Sequence, residues 1–376
     1  MLKDSRITII GRGIAGLAAA FELQKIGFSV VVIGPNDINR SATGAAVGLS
    51  SLKGQWHANK PLFSAKVDGH QFLMTWVKEL ETASGINIPQ MTCSSYEPFW
   101  TMREYETIRE RVFHRAFSGH TGATFTKPTN DLNELYEKAP LGTALYDRDF
   151  WFDPRIGIEA LTKALQVRGV TFFDDEISKV EACESTLALE GKKSCYKSDR
   201  VIVAAGICAD KILENSMITA PRQKGVYGET LVTPKFSRAC PQIIHMGQRH
   251  LIGFEGGGRY GSSSLDTEDF SPGLRFEVPN GEGRLDVDSR FVDLGFNPSF
   301  STTYAGVRGK YRDIAPCIGE LKVPNSPRKV VLFSGFYKSG LQLAPLFAAK
   351  LAKYYSGSSA FLCEPQFSVG RFSSEF

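Results

Sequence analysis

The sequence has few of the residues that build disulfide frameworks or metal centres. Its 376 residues include seven cysteines and six histidines, and no Cys-x-x-Cys pair occurs. An odd number of scattered cysteines favours free thiols in a reducing compartment, so we expect a cytoplasmic protein. The histidines lack the spacings of metal ligands, so we expect no metal site.

Long apolar runs and blocks of like charge are also missing. The longest apolar stretch near the N-terminus, residues 14–21, is too short to span a bilayer, and no signal-peptide core precedes it. We therefore expect no membrane segment. The formal net charge is only +4 and the basic residues are dispersed, which gives no strong signal for a nucleic-acid partner. The length predicts two joined domains.

A glycine-rich turn follows the first apolar segment. A short strand is predicted over 7–10, Gly-Arg-Gly-Ile-Ala-Gly occupies 11–16, a helix is predicted over 17–25, and a second strand over 29–33. A glycine turn of this spacing between a strand and a helix is typical of a dinucleotide-binding fold.

Each glycine of this turn has a physical role in that fold. Gly11 allows the tight turn, Gly13 lets a diphosphate approach the backbone, and Gly16 lets the helix pack closely on the strand. The helix N-terminus offers unpaired N–H groups to the phosphates. One position departs from the usual pattern, since Gly34 stands where an acidic residue commonly binds the ribose. Asn36 and Asp37 are the candidates that remain for that contact.

The rest of the chain mixes helical and strand patterns. Helices are predicted over 70–81, 156–168 and 341–355, and a buried strand over 199–206 returns the chain to the nucleotide sheet. Segments 227–233 and 250–254 are typical of strands in a second, more antiparallel sheet. Residues 90–150 are interpreted as strands and loops, and the small-residue segment 40–52 as a loop against a flat ligand. The glycine- and serine-rich segment 255–264 is interpreted as a loop.

Several ordered motifs resemble the D-amino-acid oxidase family of FAD-dependent oxidoreductases. They are GRGIAG at 11–16, ATGAAVG at 42–48, VIVAAG at 201–206, AGVRGKYRDIAPCIG at 305–319 and SGFYKSGLQLAP at 334–345. Within that family the sequence is similar to glycine oxidases and to the oxidase domain of the bifunctional enzyme that modifies the tRNA wobble uridine.

The resemblance implies an α/β fold of two domains. A discontinuous Rossmann-like FAD-binding domain is expected over 1–80, 150–220 and 300–376. A second domain, which would bind the substrate on a mainly antiparallel sheet, is expected over 81–149 and 221–299.

The resemblance also implies which residues hold FAD. They are expected on the glycine turns, on the small-residue loop and at the start of the last helix. The expected residues are Gly11, Gly13, Ile14, Ala15, Gly16, Gly34, Pro35, Asn36, Thr43, Ala45, Ala46, Gly48, Val180, Ala205, Gly206, Gly335, Phe336, Tyr337, Lys338, Ser339, Gly340, Leu341 and Gln342.

The same resemblance assigns Arg308 to the substrate carboxylate, which a planar guanidinium binds through two parallel hydrogen bonds. The alternative for Arg308 is a structural ion pair, for instance with Asp313. Lys338 and Tyr304 are further catalytic candidates, with a solvated lysine and a core tyrosine as the alternatives. Candidates to line the substrate pocket, each with a core position as its alternative, are Tyr227, His250 and Tyr260.

The expected reaction is oxidation of the C–N bond of an amino acid or secondary amine. Hydride passes to the flavin, and the resulting imine hydrolyses; either oxygen or another acceptor then takes the electrons. Action on carboxymethylaminomethyl-uridine in tRNA is an alternative, for which a basic approach is available at Arg103, Arg109, Arg111 and Arg115. The sequence also leaves open a reductase that uses FAD with a nicotinamide cofactor, and a flavoprotein without amine oxidase activity.

Overall fold

The computed structural model describes residues 6–53, 60–117, 123–236, 242–267, 277–278, 288–291, 301–357 and 364–375. Within these ranges the chain forms seven α-helices and twenty strands. The helices are α1 Ile14–Lys25, α2 Lys60–Ser84, α3 Met102–Phe117, α4 Asn130–Asn133, α5 Pro154–Val167, α6 Ala209–Asn215 and α7 Gly340–Tyr355.

The strands alternate with these helices along the chain. They are β1 Ile7–Ile10, β2 Val30–Ile33, β3 Leu49–Ser50, β4 Gln90–Phe99, β5 Ala123–Thr126, β6 Gly142–Phe152, β7 Thr171–Phe173, β8 Ile177–Cys183, β9 Thr186–Gly191, β10 Cys195–Ser198, β11 Arg200–Val203, β12 Lys224–Thr233, β13 Gln242–Met246, β14 Arg249–Phe254, β15 Gly257–Gly261, β16 Leu265–Thr267, β17 Glu277–Val278, β18 Thr302–Lys310, β19 Cys317–Lys322 and β20 Lys329–Ser334.

The first sheet has six strands in the order β19-β20-β11-β1-β2-β7. Every neighbouring pair is parallel except β19 with β20. β1 and β2 are apolar and fully buried, as strands covered on both faces must be. Helices α1 and α7 share one apolar core with the sheet, while α6 and the three-stranded sheet β8–β10 contribute to a second core. The sheet therefore assembles strands from the beginning, middle and end of the chain.

The second sheet has eleven strands along its main path or attached to it. The path runs β17-β18-β12-β15-β14-β13-β4-β6-β3, with β16 on β12 and β5 on β6. Of the pairings in the described ranges, only β13 with β4 is parallel. The expected mainly antiparallel second sheet is therefore confirmed. The two sheets meet where Asp153 ends β6 and caps α5, since its carboxylate accepts hydrogen bonds from the amides of Arg155 and Ile156.

The predicted helices over 70–81, 156–168 and 341–355 are confirmed as parts of α2, α5 and α7. Two interpretations were wrong. The segment 90–150 contains helix α3, whose highly charged sequence carries only a weak apolar stripe. The segment expected to be a loop over 255–264 contains β15, which is buried between β12 and β14.

The thiol expectation is met for five of the seven cysteines, which are free, while Cys240 and Cys363 lie outside the described residues. Among the helices in the described ranges, none combines the length and the apolar character needed to cross a lipid bilayer.

Candidate FAD and substrate site

A cavity of about 1240 Å³ extends from the start of α1 across the space between the two sheets. The turn of Gly11 and Gly13 lines one part of it, and Arg308 on β18 and His250 on β14 line another. Pockets for drug-sized ligands usually occupy about 300–1,000 Å³. The cavity is therefore large enough for an extended nucleotide cofactor together with a small substrate.

The first helix begins at this cavity with its N–H groups unshielded. Its N-cap residue, Gly13, provides no side-chain cap, and no acidic side chain occupies the first turn. The amide of Ile14 donates to Thr43 Oγ1 at 3.1 Å, which ties the small-residue loop to the helix start. An anionic group is therefore favoured at this end of the cavity.

The three glycines of the turn are needed for different reasons. Gly11 has a φ of +119°, and a Cβ there would lie 2.4 Å from the carbonyl oxygen of Ala204. A Cβ on Gly16 would lie 2.0 Å from the carbonyl oxygen of Gly11, so this glycine allows α1 to pack on the strand and does not itself line the cavity. A Cβ on Gly13 would meet only Thr43 Oγ1, at 3.4 Å, and would otherwise point into free space. That space is where a diphosphate approaches the backbone.

The nucleoside end of the cavity lacks an acid at Gly34, as the sequence indicated. Gly34 packs against Arg12, and a Cβ there would lie 3.1 Å from the backbone nitrogen of Arg12. Two carboxylates line the cavity nearby, those of Asp37 and Glu176. Asp37 accepts from the amide of Asn39 at 3.0 Å, while Glu176 pairs with Arg40 at 2.6 Å. Glu176 was missed because it follows a short strand, β7, far from the first motif.

Almost all residues expected to contact FAD line this single cavity. Besides Gly16, the exception is Val180, whose side chain is fully buried in the second core. The amide of Val180 donates to Ser216 Oγ at 2.8 Å, and the cavity is lined by Ile177 and Ser178 of the same strand instead. The contact of the Val180 backbone with adenine has no support from this geometry.

The last glycine turn brings α7 to the same cavity. Gly335 has a φ of +75° and Tyr337 a φ of +49°, which places the 337–339 turn ahead of the helix. Helix α7 has no side-chain N-cap hydrogen bond and no acidic residue in its first turn. Its positive end therefore faces the cavity, where the sequence predicts the flavin ring. The expected residues along this segment, 335–342, all line the cavity.

Arg308 is a largely buried cation at the wall of this cavity. Its Nη2 donates to the backbone oxygen of Ser263 at 2.8 Å, and its Nη1 lies 3.4 Å from Ser262 Oγ. No carboxylate of the described residues forms an ion pair with it. The alternative partner, Asp313, pairs with Arg371 at 2.7 Å instead. Burial lowers the pKa of the Arg308 guanidinium, which shows how incompletely its charge is compensated.

Two lysines add positive charge to the same wall. Lys338 lines the cavity and donates to Gln248 Oε1 at 2.8 Å. Lys66 of α2 also lines it, and burial together with the charge of Lys338 lowers the pKa of Lys66 to about 8. Lys66 carries no motif that could have revealed it in the sequence.

The three tyrosine candidates lie outside the cavity lining. The hydroxyl of Tyr227 hydrogen-bonds Glu229, and the hydroxyl of Tyr260 accepts from the amide of Asp288 at 3.0 Å within a separate core. The ring of Tyr304 lies 4.0 Å below the guanidinium of Arg155. Aromatic residues at alternate strand positions pack as often into the sheet interior as into a pocket, so the sequence could not separate these cases. Of the aromatic candidates, only His250 lines the cavity.

The basic residues considered for a tRNA approach have local partners. Arg109 pairs with Glu106, and Arg111 contacts Glu97 at 3.1 Å. Arg103 begins the same helix, α3, and the side chain of Arg115 lies outside the described part of the structure.

Comparison with known proteins identifies the family. The family model described as DAO, FAD dependent oxidoreductase, matches residues 6–354. The chain belongs to this family. It is therefore an FAD-dependent oxidoreductase, and FAD is its cofactor.

Individual relatives in the family are distant. One subunit of the opine oxidase of Rhizobium meliloti is 26% identical over 266 residues, which cover 68% of this chain and 70% of that protein. Glycine oxidase from Geobacillus kaustophilus is 19% identical and has a TM-score of 0.76, with 98% of this chain and 99% of the other covered. Iminodiacetate oxidase from Chelativorans sp. BNC1 is 19% identical, with a TM-score of 0.77 and coverage of 97% and 99%. These structural likenesses confirm the predicted fold class.

The residues of this chain fit FAD. The gap beside Gly13 admits a diphosphate, and the two uncapped helix N-termini, of α1 and α7, supply positive dipole ends at separate parts of one continuous cavity. One end suits the phosphates and the other suits the flavin's pyrimidine oxygens, which attract hydrogen-bond donors.

Proposed function

We propose that this oxidoreductase oxidises the C–N bond of a carboxylated amine, either an amino acid or a secondary amine derived from one. The observation that carries the proposal is Arg308, a buried guanidinium on the cavity wall without an ion-pair partner among the described residues. A buried charge is unfavourable unless it is paired, so the site is expected to receive an anion.

The surroundings of Arg308 favour a carboxylate as that anion. The backbone oxygen of Ser263 and the hydroxyl of Ser262 engage part of the guanidinium and hold its orientation. Arginine has five N–H donors in a planar fork, so donors remain for two parallel bonds to a carboxylate. A substrate held by its carboxylate presents its α-carbon and nitrogen to the rest of the cavity in one orientation.

FAD, when bound, supplies the acceptor for two electrons. The substrate loses a hydride from the α-carbon and a proton from nitrogen, and water then converts the imine into a carbonyl compound and a released amine. The protein's part is to hold the substrate through Arg308 and to surround it with the positive charge of Lys338 and Lys66, which disfavours an ammonium and favours the neutral amine that gives up hydride.

The similar proteins support this substrate class. Glycine and iminodiacetate, named for two of them, are both amines that carry carboxylates. The third is named as a subunit of an opine oxidase.

The test is anaerobic reduction of the bound flavin, followed by the loss of its visible absorbance. The panel contains glycine, sarcosine, D- and L-alanine, iminodiacetate, and tRNA carrying carboxymethylaminomethyl-uridine. Reduction by at least one of the small carboxylated amines is expected. Reduction by tRNA alone, or by none of these compounds, would overturn the proposal.

A further inference from the structure

Three polar side chains form a hydrogen-bonded chain that ends at the cavity. Asp149 on β6 and His245 on β13 are buried, with Asp149 Oδ2 2.9 Å from His245 Nε2. His245 Nδ1 lies 2.9 Å from Nδ1 of His250 on β14. His245 and His250 are directly paired across the β13–β14 hairpin, so their side chains lie on the same face of the sheet. Both histidines line the cavity.

The chemistry of these groups fixes where each hydrogen lies. An ionised Asp149 can only accept, so His245 carries its proton on Nε2. In the neutral ring the Nδ1 of His245 is then an acceptor, and His250 must donate from its own Nδ1. The proton of His250 is thereby used toward His245. Its Nε2 keeps a lone pair and has no hydrogen-bond partner among the residues that the structure describes.

The fold places this nitrogen close to Arg308. His250 pairs with Gly261 on the adjacent strand β15, and Ser262, the next residue, contacts the guanidinium of Arg308. On the other side, Gln248 in the same hairpin accepts from Lys338. His250 therefore lies among the residues that surround the proposed carboxylate site.

The charges that face His250 keep its ring neutral. Burial is the main cause of a pKa well below the usual value for histidine, and the positive charges of Lys53 and Lys338 and the neighbouring His245 act in the same direction. Only Asp149 opposes them. Lys53 is itself compensated by Glu97, at 2.7 Å. An unprotonated ring with a free lone pair can accept an N–H group but cannot hold an anion.

We propose that Nε2 of His250 accepts the N–H proton of the substrate amine, with Asp149 and His245 as positioning residues that keep this nitrogen unprotonated. The inference rests on the proposed function. When the substrate arrives as an ammonium, its N–H bond breaks and an Nε2–H bond forms on His250. The Nδ1 proton of His250 passes to Nδ1 of His245, and the Nε2 proton of His245 passes to the Asp149 carboxylate. Both rings stay neutral, and the amine regains its lone pair.

Another histidine of this protein shows what a purely structural role looks like. His70 on α2 is buried, its Nδ1 lies 2.9 Å from Ser50 Oγ, and its Nε2 lies 2.8 Å from the backbone oxygen of Arg148. Both ring nitrogens are occupied and the residue does not line the cavity. His70 is therefore a matched control for substitutions in the histidine chain.

The first experiment reads the tautomers directly in the holoenzyme labelled with ¹⁵N-histidine. Long-range ¹H–¹⁵N correlation spectra are expected to show His250 protonated on Nδ1 and bare on Nε2. In Asp149→Asn the amide can donate to His245, which reverses the chain and puts a proton on His250 Nε2. A wild-type His250 that carries its proton on Nε2 would overturn the proposal, whatever the enzyme oxidises.

The second experiment compares sarcosine with methoxyacetate, which has the same shape and carboxylate but an ether oxygen in place of N–H. Their dissociation constants are measured from the change in the flavin spectrum, and the reduction rate with sarcosine is measured against pH. Asp149→Asn and His250→Asn are each expected to weaken sarcosine binding or slow reduction by roughly ten- to a hundredfold, with methoxyacetate little affected. The acid limb of the rate profile is expected to move in both variants.

The control variant His70→Gln should leave both ligands and the rate profile unchanged. If the histidine-chain variants alter sarcosine and methoxyacetate equally, or behave like His70→Gln, His250 does not accept the amine proton. If no amine reduces wild-type flavin, the proposed function fails, while the tautomer spectra still decide the state of His250.

Discussion

The guanidinium of Arg308 lies directly against the α-carbon of Gly228 on the neighbouring strand. A Cβ built on Gly228 would come within 1.4 Å of Arg308 Nη2 and 2.6 Å of its Cζ. The two strands, β12 and β18, pair antiparallel, with Val226 opposite Arg308 and Gly228 opposite Gly306. Glycine at 228 is therefore what allows the arginine to lie flat along the sheet and reach the cavity.

Substitution of Gly228 by alanine should move the guanidinium without removing its charge. We expect the KM for the carboxylated substrate to rise by roughly ten- to a hundredfold, because the bonds to a charged group are lost or misaligned. Flavin content should stay normal, since Gly228 is remote from the glycine turn of α1. Gly370→Ala is the control, because a Cβ there would meet only Ser368 Oγ, at 3.5 Å. Equal KM values in the two variants would show that the position of Arg308 is unimportant.

Arg308 and Arg259 should respond in opposite ways to substitution by alanine. For Arg308→Ala we expect KM to rise by about ten- to a hundredfold with little loss of stability, because an uncompensated buried charge is removed. Arg259 is 1% exposed and pairs with Asp153 at 2.8 Å. Its removal strands that carboxylate and should cost about 3–5 kcal/mol of stability. Urea unfolding and steady-state kinetics separate the two effects. A strongly destabilised Arg308→Ala would mean that Arg308 is a structural residue.

Local motifs in the sequence were sufficient to predict the cofactor half of the molecule. The roles of Gly11, Gly13 and Gly16 depend on backbone geometry within a few residues, and the last strand–turn–helix is equally local. The structure adds what depends on strand register. Tyr227 and Tyr260 alternate with residues that face other directions, and one step of register decides between the pocket and the core.

The polar chain behind His250 could not be predicted for the same reason. Asp149 lies 96 residues from His245, and only the parallel pairing of β13 with β4, next to β6, brings them together. Lys66 is similar, because it reaches the cavity through the packing of α2 beside α7, where Gln342 donates to its backbone oxygen. Contacts between distant elements leave no periodic signal in the residues that make them.

Gly13 and Gly16 should separate cofactor binding from folding. In Gly13→Val the side chain has room in the protein but occupies the space proposed for the diphosphate. We expect a folded chain that purifies without flavin and takes up FAD poorly. In Gly16→Val the side chain meets the backbone oxygen of Gly11, so the fold itself should be disrupted. Circular dichroism and flavin absorbance distinguish these outcomes. A fully flavinylated Gly13→Val protein would contradict the placement of the diphosphate.

Lys66 should make stability and anion binding depend on pH in the alkaline range. Its pKa in the folded protein is lowered to about 8, against 10.5 ordinarily. Between these values the unfolded chain binds the proton and the folded chain does not, so the contribution of Lys66 to the free energy of unfolding rises with pH. Below pH 8 the residue is charged in both states, and the cost of its burial is fully present. Lys66→Gln should therefore be more stable than wild type at neutral pH, and this difference should shrink toward pH 10.5.

The same charge should help to hold anions in the cavity. Affinity of the holoenzyme for methoxyacetate is expected to fall as pH rises through about 8, where Lys66 becomes neutral, and Lys66→Gln should lose that part of the dependence. Lys78→Gln, on the exposed side of the same helix, provides the control. Urea unfolding and ligand titration at a series of pH values measure both effects. If the Lys66 and Lys78 variants gave parallel profiles, the burial of Lys66 beside Lys338 would not control the charge of the cavity, and the positive wall would be due to Arg308 and Lys338 alone.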